Sequence, residues 1–213
     1  MTRFAVHTLT DDEAARYWTR FQAGEAAAFE CLAEGYYRAL YNYGLRFSRD
    51  GEFIRDCIQE LLLDLWTHRD TLSPTPVVKA YLLKAFRHKL LKELARLERF
   101  HPSGAARAEP DFEPEPAPPL ESHLIQSEEE ALRVAQLQRA IAALPPRQQE
   151  IIYLKFYQQL EPAEIARVMD LNRQGVANLL YRALQHLRTY WAEAPLGFLL
   201  FWLPELLGRE SAL

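Results

Sequence analysis

The sequence has few cysteines, no Cys/His group and no long apolar run, which are features of cross-linked, zinc-binding and membrane-spanning proteins respectively. Cys31 and Cys57 are its only cysteines in 213 residues, and neither lies in a C-x-x-C or Cys/His group, so a disulfide framework is excluded. The amino terminus lacks the basic start and apolar run of a signal peptide, and the longest apolar cluster, residues 198–203, is far too short to cross a bilayer. We therefore expect a cytoplasmic protein with reduced thiols and no transmembrane segment.

An excess of basic charge is also absent. The formal net charge is −4, which argues against a protein that coats nucleic acid without selectivity, so any DNA contact must come from local basic patches. A hydrophobic content of 49% allows a substantial core. The length fits one domain or two small ones.

Strand patterns are rare, whereas apolar residues recur at helical spacing almost throughout, which predicts an all-α protein. The predicted helices cover residues 11–21, 26–47, 53–69, 77–99, 127–144 and 147–157, followed by a helix pair within 161–187. Thr75 and Pro76 are expected to cap and begin the fourth helix, and Ser127 with Glu130 predicts a capping box for the fifth. Most of the aromatic rings in the second helix are expected to lie in the core.

Composition changes abruptly between residues 101 and 126, where prolines alternate with acidic residues. Proline and repelling like charges both extend a chain, so this segment is predicted to be a linker. The predicted organisation is a helical domain at 1–100, the acidic, proline-rich linker at 101–126, a second helical domain at 127–192 and an apolar tail of unknown role at 193–213.

Residues 161–187 are predicted to form two short helices joined by a tight turn. Pro162 suits the first turn of the first helix, and Asn172 can cap the second. An apolar stripe recurs at helical spacing on the second helix, formed by Val176, Leu179, Leu180, Ala183 and Leu187. The opposite side carries side chains of the types that hydrogen-bond to bases in the major groove, namely Arg173, Gln174 and Asn178. This division is typical of a DNA-binding helix-turn-helix, although a helical hairpin with a solvated polar face has the same pattern.

The helix predicted over residues 53–69 has an outward strip of Asp56, Gln59, Glu60, Leu63 and Thr67. An apolar Leu63 among carboxylates hints at a protein partner, although single exposed leucines are common. The spacing of Glu60, Asp64 and His68 would also suit metal ligands on successive turns. We discount a metal site because no second His/carboxylate pair matches these three.

The helix predicted over residues 77–99 is strongly basic in an acidic chain. Seven lysines and arginines and two glutamates give it a formal charge of +5. Lys84, Arg87, His88 and Lys92 fall on one side, flanked by Tyr81. Such a surface is suited to neutralising phosphates and stacking an unpaired base, with a solvated amphipathic helix as the alternative.

Three stretches, in this order, resemble the sigma-70 family of RNA polymerase sigma factors, in its extracytoplasmic-function (ECF) type. RDCIQELLLDLW, residues 55–66, is similar to that family's clamp-binding helix, and VVKAYLLKAFRHKLLKEL, residues 77–94, to its promoter-melting helix. Residues 144–188 resemble its carboxyl-terminal promoter-reading domain. The resemblance implies a non-catalytic subunit that binds core RNA polymerase, recognises promoter DNA and initiates melting.

The resemblance also implies roles for individual residues. The set that would bind polymerase, at the clamp of the beta-prime subunit, is Asp56, Gln59, Glu60 and Leu63. The set that would open and hold the minus-ten element is Thr71, Ser73, Tyr81, Lys84, Arg87, His88 and Lys92. The set that would read the minus-thirty-five element is Arg173, Gln174, Ala177, Asn178, Tyr181 and Arg182. The polymerase beta flap is a further implied partner, an anti-sigma factor is left open, and no cofactor or metal is implied.

Two positions depart from the expected pattern. His88 stands where many members of the family carry asparagine, and Gly175 costs the recognition helix about 1 kcal/mol of propensity relative to alanine. One rival hypothesis is an operator-binding transcriptional regulator whose first domain dimerises or senses an effector. A second rival, an enzyme acting on nucleic acid through Glu60, Asp64 and His68, is disfavoured because the sequence has no phosphate-binding glycine loop or H-E-x-x-H motif.

Overall fold

The computed structural model describes residues 9–74, 77–100 and 128–191. Its regular elements in these ranges are helices, with no strand among them, which confirms the predicted all-α class. The helices are α1 (Asp11–Gln22), α2 (Ala26–Gly44), α3 (Gly51–Thr67), α4 (Val78–Phe100), α5 (Glu128–Ala142), α6 (Pro146–Ile152), α7 (Pro162–Met169) and α8 (Arg173–Trp191). A 3-10 turn at Arg69–Thr71 follows α3, and a π-helical turn at Tyr153–Tyr157 continues α6.

Helices α1 to α4 pack around a mixed aromatic and aliphatic core. Trp18, Phe21, Ile58, Leu83 and Phe86 are among its fully buried side chains. Removing a side chain of this size from water stabilises the fold by roughly 1.5–3 kcal/mol. The core therefore holds α4, which carries the basic residues, in a fixed position against α1, α2 and α3.

Helices α2 and α3 meet at Gly44, where only the absence of a side chain permits the approach. A Cβ at this position would lie 2.6 Å from Ile54 Cγ2 and 3.4 Å from Phe86 Cε1. Since Ile54 and Phe86 are themselves fully buried, neither has free space into which it can move.

Helices α5 to α8 form a second group, in which α6 and α7 both pack against α8. The Gln149 side-chain amide donates to the carbonyls of Ala142, at 3.0 Å, and Leu144, at 2.8 Å, and so closes the carboxyl end of α5. Gln148 Oε1 lies 2.8 Å from His186 Nδ1 and ties α6 to α8. These two buried glutamines hold α6 to the end of α5 and to α8.

The two features predicted for this helix pair, a proline in the first turn of α7 and an asparagine cap on α8, are both present. Pro162 occupies the first turn of α7, and the Asn172 side chain accepts a hydrogen bond of 2.6 Å from the Gly175 amide at the start of α8. Asp170 adopts a left-handed conformation with φ +52° and ψ +48°. Aspartate tolerates this region better than most residues, and the conformation displays its carboxylate at the outside of the turn.

Several boundaries differ from the sequence-based expectation. Helix α3 begins at Gly51 rather than residue 53, because the Asp50 side chain accepts from the amides of Glu52 and Phe53 and caps it there. Helix α2 ends at Gly44 rather than residue 47. Tyr37, one of the rings expected in the core, is 39% exposed.

Some predictions fall on parts of the chain that the structure does not describe: the Thr75 cap and Pro76, the Ser127 capping box, the linker at 101–126 and the tail at 193–213. Among the helices that it does describe, none is both long enough and apolar enough to cross a membrane.

Candidate DNA and polymerase interfaces

Helix α8 has one buried and one open side. Val176, Leu180, Ala183 and Leu187 are buried against the rest of the domain, while Leu179 is half-buried. The side chains predicted to read DNA are all exposed, and they are Arg173, Gln174, Ala177, Asn178, Tyr181 and Arg182. Tyr181, at 65%, is the most exposed large apolar or aromatic side chain in the described ranges. The helix can thus hold its own domain and a second molecule at the same time.

The amino-terminal end of α8 is organised by local hydrogen bonds. Gln174 Nε2 donates to Asn178 Oδ1 at 3.0 Å, one helical turn away, so the two amides present one polar unit. Gly175 lies directly under the Asn172 cap, where a Cβ would be 3.1 Å from Asn172 Oδ1. The glycine that weakens helix propensity therefore leaves room for the cap.

The strip predicted on α3 is exposed along its length. Asp56, Gln59, Glu60 and Leu63 all face solvent, and Leu63 is 64% exposed. Lys89 of α4 forms ion pairs with Glu60, at 3.2 Å, and Asp64, at 2.7 Å. Part of the positive charge of α4 is therefore used to brace α3, whereas Asp56 forms no ion pair with the described side chains.

The discounted metal site is not assembled among the described residues. Glu60 and Asp64 both form ion pairs with Lys89. His68 Nδ1 lies 2.9 Å from the main-chain carbonyl oxygen of Asp64. No group of three or more His, Cys, Asp or Glu side chains with metal-binding geometry occurs within residues 9–74, 77–100 and 128–191.

The loop at residues 71–74 is held to the first bundle through its backbone. Trp18 Nε1 donates to the Ser73 carbonyl at 3.3 Å, and the Gln22 side-chain amide donates to the Leu72 carbonyl. These bonds use the main-chain oxygens of Leu72 and Ser73. The Thr71 and Ser73 side chains are both exposed, and the Thr71 hydroxyl donates to the His68 carbonyl at 2.8 Å. Tyr81 packs edge-on against Trp18, with ring centroids 5.0 Å apart, and is only partly buried. Trp18 thus links the loop to Tyr81, and sequence patterning had not singled it out.

The basic side of α4 is largely occupied by the second helical group. Lys84 Nζ lies 2.9 Å and His88 Nε2 2.7 Å from the Asp170 carboxylate. Arg87 Nε donates to Glu150 Oε1 at 2.8 Å. Lys92 differs from these three, because it is exposed and forms no ion pair with the described side chains. The prediction that these residues share one side holds geometrically, but Arg87 is buried rather than open to solvent.

Glu150 is the centre of a buried cluster between the two helical groups. Besides Arg87 it accepts a hydrogen bond from the Tyr43 hydroxyl, and its own exposure is only 4%. Burial raises the pKa of Tyr43 and the neighbouring carboxylate raises it further, so the phenol stays protonated as a donor. Burial alone would lower the pKa of Arg87, but the charge and hydrogen bond of Glu150 outweigh it and leave that pKa raised. Arg87 therefore keeps its charge in this buried position because Glu150 is beside it.

Aromatic contacts extend this cluster. Tyr43 and Tyr153 stack with centroids 5.9 Å apart and planes 12° from parallel. The Arg46 guanidinium lies over the Tyr153 ring at 5.0 Å, and the Tyr153 hydroxyl donates to the Ala39 carbonyl at 3.4 Å. Burial raises the pKa of Tyr153 to about 12. Together these contacts join the carboxyl-terminal half of α2 to the π-helical turn after α6.

The carboxylate of Asp170 differs from Glu150 in being half-exposed. Hydrogen bonds from His88 and Lys84 lower its pKa to about 2 from an ordinary value of 3.8. Neither Glu150 nor Asp170 stood out in the sequence, because their partners lie 63 and 82 residues away along the chain. Only the tertiary arrangement brings these charges together.

Comparison with known proteins shows that these features lie in two stretches that match family models. The chain matches the family models "Sigma-70 region 2" over residues 32–100 and "Sigma-70, region 4" over residues 135–187. The first block contains the α3 strip and the basic α4, and the second contains α6, α7 and most of α8. The block order is the one that the sequence pattern predicted.

One curated relative and two solved structures are also similar. Over 168 residues, covering 79% of this chain and 62% of the relative, the chain is 30% identical to the ECF RNA polymerase sigma factor BldN of Streptomyces coelicolor. CnrH in complex with the cytosolic domain of CnrY matches with 17% identity and a TM-score of 0.58, covering 86% of this chain and 100% of CnrH. The sigma factor RpoE in complex with the anti-sigma factor NepR from Bartonella quintana matches with 14% identity and a TM-score of 0.54, covering 86% of this chain and 97% of RpoE. At these identities the two structural matches concern the fold alone.

Proposed function

Because this chain belongs to the sigma-70 family, as a sigma factor of the ECF type, we propose that it is a specificity subunit of bacterial RNA polymerase with no catalytic centre of its own. In this role it binds the core enzyme in the cytoplasm, recognises two promoter elements and initiates DNA melting. The work of melting comes from binding energy rather than from a chemical reaction.

The two-sided character of α8 carries this proposal. Its buried apolar stripe is fixed to α6 and α7, while the exposed side presents a guanidinium, two amides and a tyrosine. Arginine can donate two hydrogen bonds to guanine, and asparagine or glutamine can pair with adenine in the major groove. We assign Arg173, Gln174, Ala177, Asn178 and Tyr181 to the minus-thirty-five element and Arg182 to its backbone.

We assign the minus-ten element to the other half of the chain. The exposed Thr71 and Ser73 side chains and the Tyr81 ring lie on the loop and helix braced by Trp18, and Lys84, Arg87, His88 and Lys92 supply cations. Extruding a base from a duplex costs a few kcal/mol. Aromatic stacking of about 1–3 kcal/mol per base, added to the phosphate contacts, can offset that cost.

The domain boundaries of the proposal follow the sequence: the minus-ten and polymerase-binding domain at 1–100, the linker at 101–126, the minus-thirty-five domain at 127–192 and the apolar tail at 193–213. The polymerase contact is the α3 strip of Asp56, Gln59, Glu60 and Leu63, directed to the clamp of the beta-prime subunit. The second domain is directed to the beta flap. An anti-sigma factor is a further proposed partner, in keeping with the similar RpoE, whose structure is a complex with NepR.

Removing the free carboxylate and amide of the α3 strip tests the proposed polymerase contact. Asp56→Ala with Gln59→Ala should lower the affinity for core RNA polymerase, because both side chains are exposed and available to a partner. The loss should be about 1–3 kcal/mol if they are central contacts. The measurement is titration of labelled protein with core enzyme, followed by promoter-dependent RNA synthesis, whose transcripts also define the promoter.

Glu34→Ala is the matched control, since it removes one carboxylate from an exposed position of α2. It should bind core enzyme like the parent protein. Equal affinity of the double variant and the control would remove the α3 strip from the proposal. A wild-type protein that never binds core enzyme would instead favour the operator-binding regulator.

A further inference from the structure

Helix α1 lies ahead of residue 32, where the match to region 2 of the sigma-70 family begins, and it carries none of the side chains assigned to polymerase or DNA. Two of its side chains nevertheless hold the loop at residues 71–74. We propose that Trp18 and Gln22 are positioning residues for minus-ten capture, which act by fixing this loop relative to the Tyr81 ring. The inference rests on the proposed function and adds α1 to the parts of the chain that set minus-ten affinity.

Together Trp18 and Gln22 form a brace that holds two consecutive main-chain carbonyls. Trp18 Nε1 donates to the Ser73 carbonyl at 3.3 Å, and the Gln22 side-chain amide donates to the Leu72 carbonyl. Each carbonyl lies in the plane of its own peptide bond, so holding both planes fixes the backbone of Ser73 between them. The brace therefore sets the direction in which the Ser73 side chain leaves the loop.

Trp18 is itself held rigidly enough to position other groups. It is only 1% exposed, and its ring packs edge-on against Phe21, with centroids 5.4 Å apart, and against Tyr81, at 5.0 Å. The same indole thus contacts the loop through its N–H and Tyr81 through its ring. Because so little of Trp18 reaches solvent, it has no surface for a DNA strand, and its influence on capture must pass through Ser73 and Tyr81.

Local hydrogen bonds order only the first part of the loop. The Thr71 amide donates to the His68 carbonyl at 2.9 Å, and the Leu72 amide donates to the Arg69 carbonyl at 3.3 Å. These bonds belong to the 3-10 turn that follows α3. The bonds from α1 extend the order to Ser73.

The proposed base site needs this order because it has two sides on different elements. Thr71 and Ser73 are exposed on the loop, and Tyr81 is partly exposed on α4. A base stacked on an aromatic ring presents its hydrogen-bonding edge in one plane, so the loop can reach that edge only from a limited range of distances and directions. A loop that also takes other conformations lowers the apparent affinity in proportion to the competent fraction.

The test removes each donor and leaves the surrounding shape nearly intact. Trp18→Phe keeps an aromatic ring beside Tyr81 but has no N–H, and Gln22→Met keeps the length of the side chain but has no amide. Ile54→Val is the control, because it also trims a fully buried side chain of the first bundle, at the contact with Gly44 rather than beside the loop. Urea unfolding compares the stabilities of the variants.

The probes are two labelled DNAs from a promoter defined by transcripts of core enzyme plus this protein: the single-stranded minus-ten segment and the minus-thirty-five duplex. We expect Trp18→Phe with Gln22→Met to bind the minus-ten strand about tenfold more weakly than the parent, as follows if the unbraced loop is competent in one molecule in ten. Its preference for the cognate strand over strands with one base substituted should fall as well. Affinity for the minus-thirty-five duplex should stay unchanged, and Ile54→Val should match the parent on both DNAs.

Equal minus-ten affinity of the brace variant and Ile54→Val would overturn the proposal. A parent protein that binds the minus-ten strand no better than a scrambled strand would overturn the minus-ten assignment itself, and the role of the brace with it. Gln22→Met alone serves the same comparison if Trp18→Phe fails to fold, because Gln22 is only partly buried.

Hydrogen exchange tests the brace without DNA. The amides of Thr71 and Leu72 should exchange faster in the brace variant than in the parent or in Ile54→Val, whereas the amides of α8 should exchange at the same rate in all three. Unchanged exchange at Thr71 and Leu72 would show that α1 does not hold the loop. This measurement needs neither polymerase nor a promoter, so it separates a failure of the brace from a failure of the proposed function.

Discussion

At the scale of single residues, Asp170 predicts how the stability of the fold depends on pH. Its pKa in the folded protein is about 2, below the ordinary 3.8, because His88 and Lys84 favour the carboxylate. A depressed carboxyl pKa contributes stability that is present above about pH 4 and is lost as the pH falls toward 2.

Asp170→Asn should therefore lower the free energy of unfolding at pH 7 by at most about 1 kcal/mol, a value reduced for the solvent exposure of the group. The difference between variant and parent should be small by pH 2, where about half of the parent carboxyl groups are protonated, and should vanish below that pH. Urea titrations at a series of pH values measure it. A difference at pH 2 that is as large as the difference at pH 7 would mean that Asp170 stabilises the turn by shape rather than by charge.

Gly44 offers a second test, this time of packing. Gly44→Ala should destabilise the protein by about 1–2 kcal/mol net. A methyl group only 2.6 Å from the buried Ile54 should cost about 2–3 kcal/mol, the upper part of the usual overpacking range, and the gain in helix propensity returns about 1 kcal/mol. Thermal or urea unfolding gives the value.

Gly51→Ala is the matched control, because its Cβ would meet the hydroxyl end of Tyr41 at 2.8 Å rather than a buried methyl group. The Tyr41 side chain is partly exposed and can move aside, so this variant should stay within about 0.5 kcal/mol of the parent. Equal effects of the two substitutions would contradict the packing argument for Gly44.

Sequence patterning identified the chemistry of single residues better than their surroundings. The amide cap of Asn172 was predictable because its partner, Gly175, is three residues away. The burial of Arg87 was not, because its partner Glu150, and the Tyr43 that also donates to Glu150, lie on other helices and carry no local signal. Periodicity within one helix shows which side faces inward, but not which domain covers the outward side.

At the scale of elements, α8 is where sequence and structure agree most closely. Its apolar stripe and its polar side could both be predicted from residue spacing alone. In a helix that is exposed to water on one side, apolar residues recur every three or four positions. The π-helical turn at Tyr153–Tyr157 was not visible, and an ordinary helix was expected there. The turn leaves Tyr153 buried between Tyr43 and Tyr157.

Base reading by α8 can be separated from backbone contact. Arg173→Ala and Asn178→Ala should each lower the affinity for the cognate minus-thirty-five duplex by about 1–3 kcal/mol and relax sequence preference at one position. Arg182→Ala should instead weaken binding to all sequences alike and reduce the slope of log affinity against log salt by about 1. Fluorescence anisotropy on cognate and single-base-substituted duplexes, at two salt concentrations, measures both effects.

The parent protein on a scrambled duplex sets the reference for that comparison. If Arg173→Ala and Asn178→Ala weakened cognate and scrambled DNA equally, these side chains would be phosphate contacts and α8 would not be the reading helix. Folding is controlled by circular dichroism, since all three positions are exposed and lie away from the apolar stripe.

At the scale of the whole molecule, the helical class and the order of the parts followed from the sequence, whereas the arrangement of the two domains did not. Hydrophobic periodicity reports that a helix has a core side. It says nothing about contacts such as Arg46 over Tyr153 or Lys84 with Asp170, which join residues more than 80 positions apart in the sequence. The formal charge of the helix did not reveal these contacts either, because the +5 of residues 77–99 is partly neutralised by carboxylates outside that helix.

The burial of Glu150 with Arg87 also gives the domain contact an unusual response to warming. The hydration free energy of ions becomes less favourable as temperature rises. Burying the Arg87–Glu150 pair away from water therefore costs less free energy at high temperature than at low temperature. The contribution of this ion pair to the contact between the two helical groups should therefore grow on warming, up to the point of unfolding, and shrink on cooling.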